Sequence, residues 1–250
     1  MPDSPSIPPL TLLRGAALFL DFDGTLVELA ETPDRIEVPG DLHLLLERLV
    51  LVLEGRLAIV SGRAIEALDR HLGGPAVALS GSHGVELRLA DGTKLPLAVP
   101  AGVDRARAAV EAFAASDPRL LVEHKPAGVA LHFRQAAERE AEVAALAAEV
   151  AERTGLAVQQ GKMVAELRPP GADKGDAVRA FMMEPPFIGA RPLFVGDDLT
   201  DEHGFAAAAA LGGDGILVGP PRDSAARWRL DDVPAVARWL EDAVETIKRG

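Results

Sequence analysis

The sequence predicts an α/β protein: a parallel-sheet core whose strands alternate with helices, broken by an inserted α+β unit with an antiparallel sheet and two helices. Three observations predict it. Short apolar runs of strand length, Ala17–Leu20, Leu57–Val60, Leu193–Val195 and Ile216–Val218, are continuous rather than alternating, as in strands buried on both faces. Helix-length stretches lie between them, the connection that parallel strands require. Over residues 99–168 the rhythm becomes helix, two alternating strands, helix, two alternating strands, so the expected division is 1–98 with 169–250 for the core and 99–168 for the insert.

In chain order, Met1–Pro9 is rich in Pro and Ser and is expected to be loosely draped. The first strand runs into Asp21-Phe22-Asp23-Gly24-Thr25-Leu26. Pro39-Gly40-Asp41 is expected to cap a helix over 42–53, followed by a strand over 57–60, a helix over 64–72 and a short strand over 77–79. Asp91-Gly92, between segments 85–89 and 94–99, signals a hairpin. The insert reads as a helix over 103–115, strands over 120–125 and 129–134 about Pro126-Ala127-Gly128, a helix reaching 153, and strands over 156–160 and 163–168. The core then resumes with a helix over 174–183, a strand ending at Gly196, a helix through the Ala206–Ala210 run, a strand over 216–218 and an amphipathic helix over 233–248.

Chemistry collects at the strand ends. Asp21 and Asp23 follow a doubly buried strand, where two anions are tolerable only beside a hard cation or with protons bound. A carboxylate beside Mg²⁺ can attack phosphorus, and a second one two positions on can protonate the leaving alcohol. Ser61, next to Gly62, can hydrogen-bond a phosphoryl oxygen, or mark an ordinary turn. Lys174 opens a helix and could bridge Asp21 and phosphoryl oxygens, or be a surface lysine. Asp197, Asp198 and Asp201 repel one another in a short post-strand loop unless a cation such as Mg²⁺ holds them. A helix start explains Asp201 and Glu202 but not Asp197 on an apolar strand end.

In the insert, alternation places Glu123 and Lys125, His132 and Arg134, and Glu166 and Arg168 on one sheet face, and Val122, Leu131, Phe133, Ala165 and Leu167 on the other. The apolar face can rest on the two helices. The polar face suits hydroxyl-rich ligands, or is a plain solvated face with charge pairs.

Composition excludes several classes. A net charge of -12 argues against nucleic acid as a partner, and Cys 0 removes disulfide, zinc-thiolate and thiol chemistry. The amino terminus lacks a basic signal-peptide region and no apolar run reaches membrane-spanning length, so no membrane association is expected and the cytoplasm is the default location.

The ordered set D-x-D-G-T-L, S-G-R, a helix-opening lysine and G-D-D-x-T-D-E resembles the four motifs of the haloacid dehalogenase superfamily of phosphotransferases over nearly the whole chain. Within it the chain is similar to the trehalose-6-phosphate phosphatase family, through Val60-Ser61-Gly62-Arg63, Ser82-His83-Gly84-Val85-Glu86, Val122-Glu123-His124-Lys125, Gly161–Pro169 and Asp173-Lys174-Gly175. The resemblance implies a Rossmann-like core carrying a type 2 cap. It also implies Asp21 as nucleophile, Asp23 as general acid and base, and Ser61 and Lys174 as catalytic partners. Mg²⁺ would be held by Asp21, the Asp23 carbonyl and Asp197, with Asp198 a further metal candidate. Gly24, Arg63 and His83 would line the substrate cleft, and Glu123, Lys125 and Glu166 would grip the glucose hydroxyls of trehalose 6-phosphate. A trehalose-phosphate synthase is a candidate partner. Phosphatases of sucrose 6-phosphate or mannosyl phosphate type, and a sugar-phosphate sensor without turnover, stay open as alternatives.

Overall fold

Strand β1 (Ala16–Leu20) is buried at every position, and alternation divides its side chains between two layers. Ala16, Leu18 and Leu20 join one apolar cluster; Ala17 and Phe19 join another. In this computed structural model the described residues are 6–29, 36–73, 77–95, 101–125, 127–161, 163–170 and 173–249. They divide into two units, Met1–Leu95 with Asp173–Gly250, and Pro96–Ala172.

The first unit places β1 at the centre of a seven-stranded sheet. On one side lie β2 (Leu57–Val60), β3 (Ala78–Gly81) and β4 (Glu86–Arg88), on the other β9 (Arg191–Gly196), β10 (Asp214–Val218) and β11 (Trp228–Leu230). All neighbours pair in parallel except β3 with β4. The chain therefore leaves β1 in one direction and later returns to its opposite side, which makes β1 and β9 the switch point beyond whose carboxyl ends ligands bind. Helices α1 (Leu42–Val52), α2 (Ile65–Leu72) and α7 (Val233–Lys248) cover one face, and α5 (Lys174–Met182) and α6 (Glu202–Ala210) the other. Small residues Ala207 and Ala208 let α6 pack closely in its layer.

The second unit is a four-stranded antiparallel sheet in the order β5 (Leu121–Lys125), β6 (Gly128–His132), β8 (Val164–Arg168) and β7 (Ala157–Gly161). One face packs on α3 (Val103–Ala114) and α4 (Glu140–Thr154) through Val129, Leu131, Phe133, Ala165 and Leu167. Both units together give the expected α/β class with a separate antiparallel insert.

Three expectations need correction. Ser6–Pro9 is not loose: Ser6 bridges Trp228 and the Pro8 carbonyl accepts a 2.9 Å hydrogen bond from Trp239 Nε1. Asp41 makes no side-chain cap, because it has already turned into helical backbone (φ -94°, ψ -11°). The hairpin about Asp91-Gly92 is present, with Arg88 bridging Lys94 in antiparallel fashion, and segment 85–89 also supplies β4, which pairs with β3. Beyond it the Asp91-Gly92 turn is closed by Leu89 N–H to the Thr93 carbonyl at 2.8 Å. Strand β11 was not expected, since three residues centred on Arg229 carry no apolar run. The expectations for Met1–Pro5, 96–99, Pro126, Lys162 and 171–172 lie outside the described residues.

Candidate active site

Three strand ends of the first unit supply the acidic and hydroxyl groups. Asp21 leaves β1, its N–H donating to the Val195 carbonyl of β9 at 2.9 Å. The residue is 3% exposed. Lys174 Nζ donates to Asp21 Oδ1 and to Asp201 Oδ1, both at 2.6 Å. The lysine reaches this point because Asp173 caps α5: Asp173 Oδ1 accepts from Asp176 N–H at 2.8 Å, and Asp176 Oδ2 accepts from Asp173 N–H at 3.2 Å. Asp201 is fully buried, and its second oxygen accepts from the N–H groups of Asp197 and Asp198 at 3.0 and 2.9 Å. It thus fixes both the ammonium and the acidic loop.

Electrostatics follow from burial. Desolvation pushes Asp21 well above its ordinary carboxylate range; Lys174 opposes this, while Asp201 and Asp197 add to it. Asp197 is pushed up to about 6, first by burial and then by the Asp201 charge, with Lys174 and a hydrogen bond with Asp21 opposing. Burial works against the Lys174 charge, but its two carboxylate partners together outweigh it and hold the ammonium above its ordinary range. One cation therefore leaves the cluster short of positive charge.

Asp21, Asp197 and Asp201 bring three carboxylate oxygens within 4.8 Å of one another, and Asp197 Oδ1 is buried with no hydrogen-bond partner. Gly24 (φ +85°) lies against this carboxylate, where a Cβ would stand 2.2 Å from Asp197 Oδ2. An orphaned carboxylate oxygen, raised acids and a space kept clear by glycine fit a hard divalent cation such as Mg²⁺. Asp198 stands apart: it is exposed, and its Oδ1 accepts the Leu199 N–H at 2.6 Å. The Asp198 to Asp201 spacing is that of a capping box, a signal legible in the sequence that favours Asp201 as the inward-facing acid.

Asp23 is engaged elsewhere. Arg63 grips it with both arms, Nε to Oδ2 at 2.7 Å and Nη2 to Oδ1 at 2.8 Å. Ser61, buried at the end of β2, accepts the Arg63 N–H on Oγ at 3.1 Å, which leaves the hydroxyl hydrogen outside that bond. Ser82 (φ +49°) and His83 (φ +55°) both occupy left-handed backbone, a strained corner for two successive side chains. It is held by Ser82 N–H to the Arg63 carbonyl at 2.8 Å, His83 N–H to the Ser61 carbonyl at 3.0 Å and Ser82 Oγ to Glu86 Oε1 at 2.7 Å. The corner sets the His83 ring against Gly62, where a Cβ would lie 2.6 Å from the imidazole. Sequence reasoning missed Arg222, which donates to the Asp198 carbonyl at 2.9 Å and pairs with Glu202, tying the acidic loop to the segment after β10. No pattern in the sequence points to it.

In the second unit, register puts Glu123 opposite Ala130 and Ala130 opposite Glu166, so Glu123, Lys125, His132 and Glu166 share the face away from the helices. Lys125 Nζ lies 3.2 Å from Glu166 Oε2 and 3.9 Å from Glu123 Oε1. Lys125 and Glu166 side chains are only 11% and 10% exposed, far less than a solvated charge pair.

Known proteins resemble the chain over most of its length. A family model described as trehalose-phosphatase matches residues 19–234. The chain is 44% identical over 213 residues to a protein of Sinorhizobium fredii described as a probable trehalose-phosphate phosphatase, covering 84% of this chain and 80% of that one. It is 40% identical over 227 residues to trehalose-6-phosphate phosphatase of Escherichia coli, covering 90% and 85%. A solved trehalose-6-phosphate phosphatase related protein superposes with a TM-score of 0.76 at 25% identity, over 93% of this chain and 99% of that one.

Proposed function

The chain belongs to the trehalose-phosphatase family, and on that premise we propose that it hydrolyses trehalose 6-phosphate to trehalose and phosphate through an aspartyl phosphate on Asp21. The observation that carries this reading is the buried Asp21–Lys174–Asp201 bridge beside the orphaned Asp197 oxygen. Lys174 occupies Asp21 Oδ1, which leaves Oδ2 to form the bond to phosphorus while the bond from phosphorus to the sugar oxygen breaks. Asp23, in its acid form once substrate has drawn it off Arg63, gives its proton to that departing oxygen. It then takes one from water as the water attacks phosphorus, which breaks the acyl phosphate, releases phosphate and restores the Asp21 carboxylate. Arg63 holds Asp23 in place until the substrate arrives. Ser61 Oγ–H and Lys174 donate to the oxygens of the transferring group.

The side chains of Asp21 and Asp197 and the Asp23 carbonyl would hold Mg²⁺, with Asp201 bracing them from behind. When bound, the ion supplies charge neutralisation to the phosphoryl oxygens. The polar face bearing Glu123, Lys125 and Glu166 would recognise the sugar hydroxyls. The described residues contain no helix long and apolar enough to cross a membrane, and the reading places the enzyme in the cytoplasm, acting on the product of a trehalose-phosphate synthase. Phosphate release is measured with trehalose 6-phosphate and with glucose 6-phosphate, each with and without Mg²⁺. Mg²⁺-dependent release that strongly favours the disaccharide supports the reading; binding without release, or preference for another sugar phosphate, overturns it.

A further inference from the structure

We infer that His132 is a positioning residue for sugar recognition, acting through Glu123; this rests on the reading that the polar sheet face binds the sugar. His132 Nε2 lies 2.8 Å from Glu123 Oε2. A carboxylate only accepts, so Nε2 carries the hydrogen and the imidazole donates. Glu123 is thereby held at both ends, by His132 on Oε2 and by Lys125 facing Oε1 at 3.9 Å, while Lys125 turns its closer contact to Glu166 at 3.2 Å.

Exposure shows why Glu123 in particular needs the second hold. Its side chain is 51% exposed against 10% for Glu166, so burial does not restrict its rotamers as it restricts those of Glu166. The cross-strand partner of Glu123 on β6 is Ala130, a methyl group that cannot brace it. His132, two residues farther along β6 and therefore on the same face, is the diagonal neighbour within reach of a long side chain. The four groups form one row of contacts, His132, Glu123, Lys125 and Glu166, whose imidazole end fixes where the first carboxylate presents its oxygens. A hydroxyl-rich ligand read by Glu123 then meets an acceptor of fixed direction, and the entropy of ordering that side chain has been met before binding.

The test is a double-mutant cycle on the full chain with trehalose 6-phosphate, using His132→Phe, His132→Gln, Glu123→Ala and the pair His132→Phe with Glu123→Ala. His132→Phe is expected to raise KM about tenfold with kcat changed less than about threefold, the loss of one hydrogen bond to a charged group. His132→Gln keeps a side-chain N–H donor and is expected to recover most of that loss. In the Glu123→Ala background His132→Phe is expected to cost nothing further, which a purely structural role of the histidine would not produce. The assignment is overturned if Glu123→Ala raises KM while His132→Phe does not, or if the two effects multiply as independent ones. A Glu123→Ala variant with unchanged KM overturns instead the sugar reading of the whole face, and this inference with it. If His132→Phe fails to fold, His132→Gln and His132→Asn carry the same comparison, because only the former reaches Glu123.

Discussion

Replacing Lys174 by Met removes the cation that the buried carboxylates Asp21 and Asp201 share at 2.6 Å. All three residues are at most 3% exposed, so water cannot take the place of the ammonium. Leaving a buried charge without its partner costs about 3 to 5 kcal/mol. For a chain of 250 residues this corresponds to a fall in melting temperature of roughly 6 to 20 °C. The loss depends on pH with a definite sign. Asp21 already has a raised pKa in the native fold, and without Lys174 it rises further. An acid raised on folding binds more protons folded than unfolded, so the variant loses stability as pH climbs from the unfolded carboxylate value, about 3.9, toward the folded one. The deficit relative to wild type is therefore expected to be smaller at about pH 5 than at about pH 8. Urea unfolding of both proteins in EDTA at the two pH values measures it. A deficit below about 1 kcal/mol at the higher pH, or one independent of pH, would refute the argument that the ammonium offsets two desolvated anions.

Gly24→Ala would place a Cβ 2.2 Å from Asp197 Oδ2 at a φ of +85° and must displace either the loop or the carboxylate. It is expected to cut kcat/KM by about 100-fold or more and to weaken Mg²⁺ binding, read by calorimetric titration; near-wild-type values would contradict the placement. Asp197, pushed up to about 6 against an ordinary 3.8, is also a raised acid, so in EDTA its ionisation removes stability as pH rises through that window. The full shift is worth about 3 kcal/mol, roughly halved for the solvent screening of a partly exposed group, and Mg²⁺ is expected to raise the melting temperature well above pH 6 but little below it. Equal Mg²⁺ stabilisation at both ends would count against the cluster as its site. Arg222→Ala frees the Asp198 carbonyl and is expected to weaken Mg²⁺ about fivefold, the scale of one lost hydrogen bond, with little change in KM for the sugar phosphate.

Much of this was legible in the chain because it is written in local pattern. Unbroken apolar runs located β1, β2, β9 and β10, and carboxylates directly after such runs stood out because nothing but function or a cation explains them there. Alternation alone put Glu123, Lys125 and Glu166 on one face, and register agrees. What escaped is long-range. The fork of Arg63 on Asp23 joins residues forty positions apart, and its geometry is fixed by the strained Ser82–His83 corner, which no propensity encodes. Strand β11 exists because β10 offers it a parallel partner, not because Trp228–Leu230 favours extension. Asp41 shows the reverse case, a residue with the right chemistry for a cap whose backbone had already entered the helix.

The proposed function requires that Asp21 carry the phosphoryl group during turnover. Rapid quenching of the enzyme with phosphate-labelled trehalose 6-phosphate, followed by peptide mapping, tests it most directly. An alkali-labile acyl phosphate is expected on the peptide containing Asp21 and absent from Asp21→Asn. Turnover at the normal rate with no labelled enzyme, or with the label on another peptide, would contradict it.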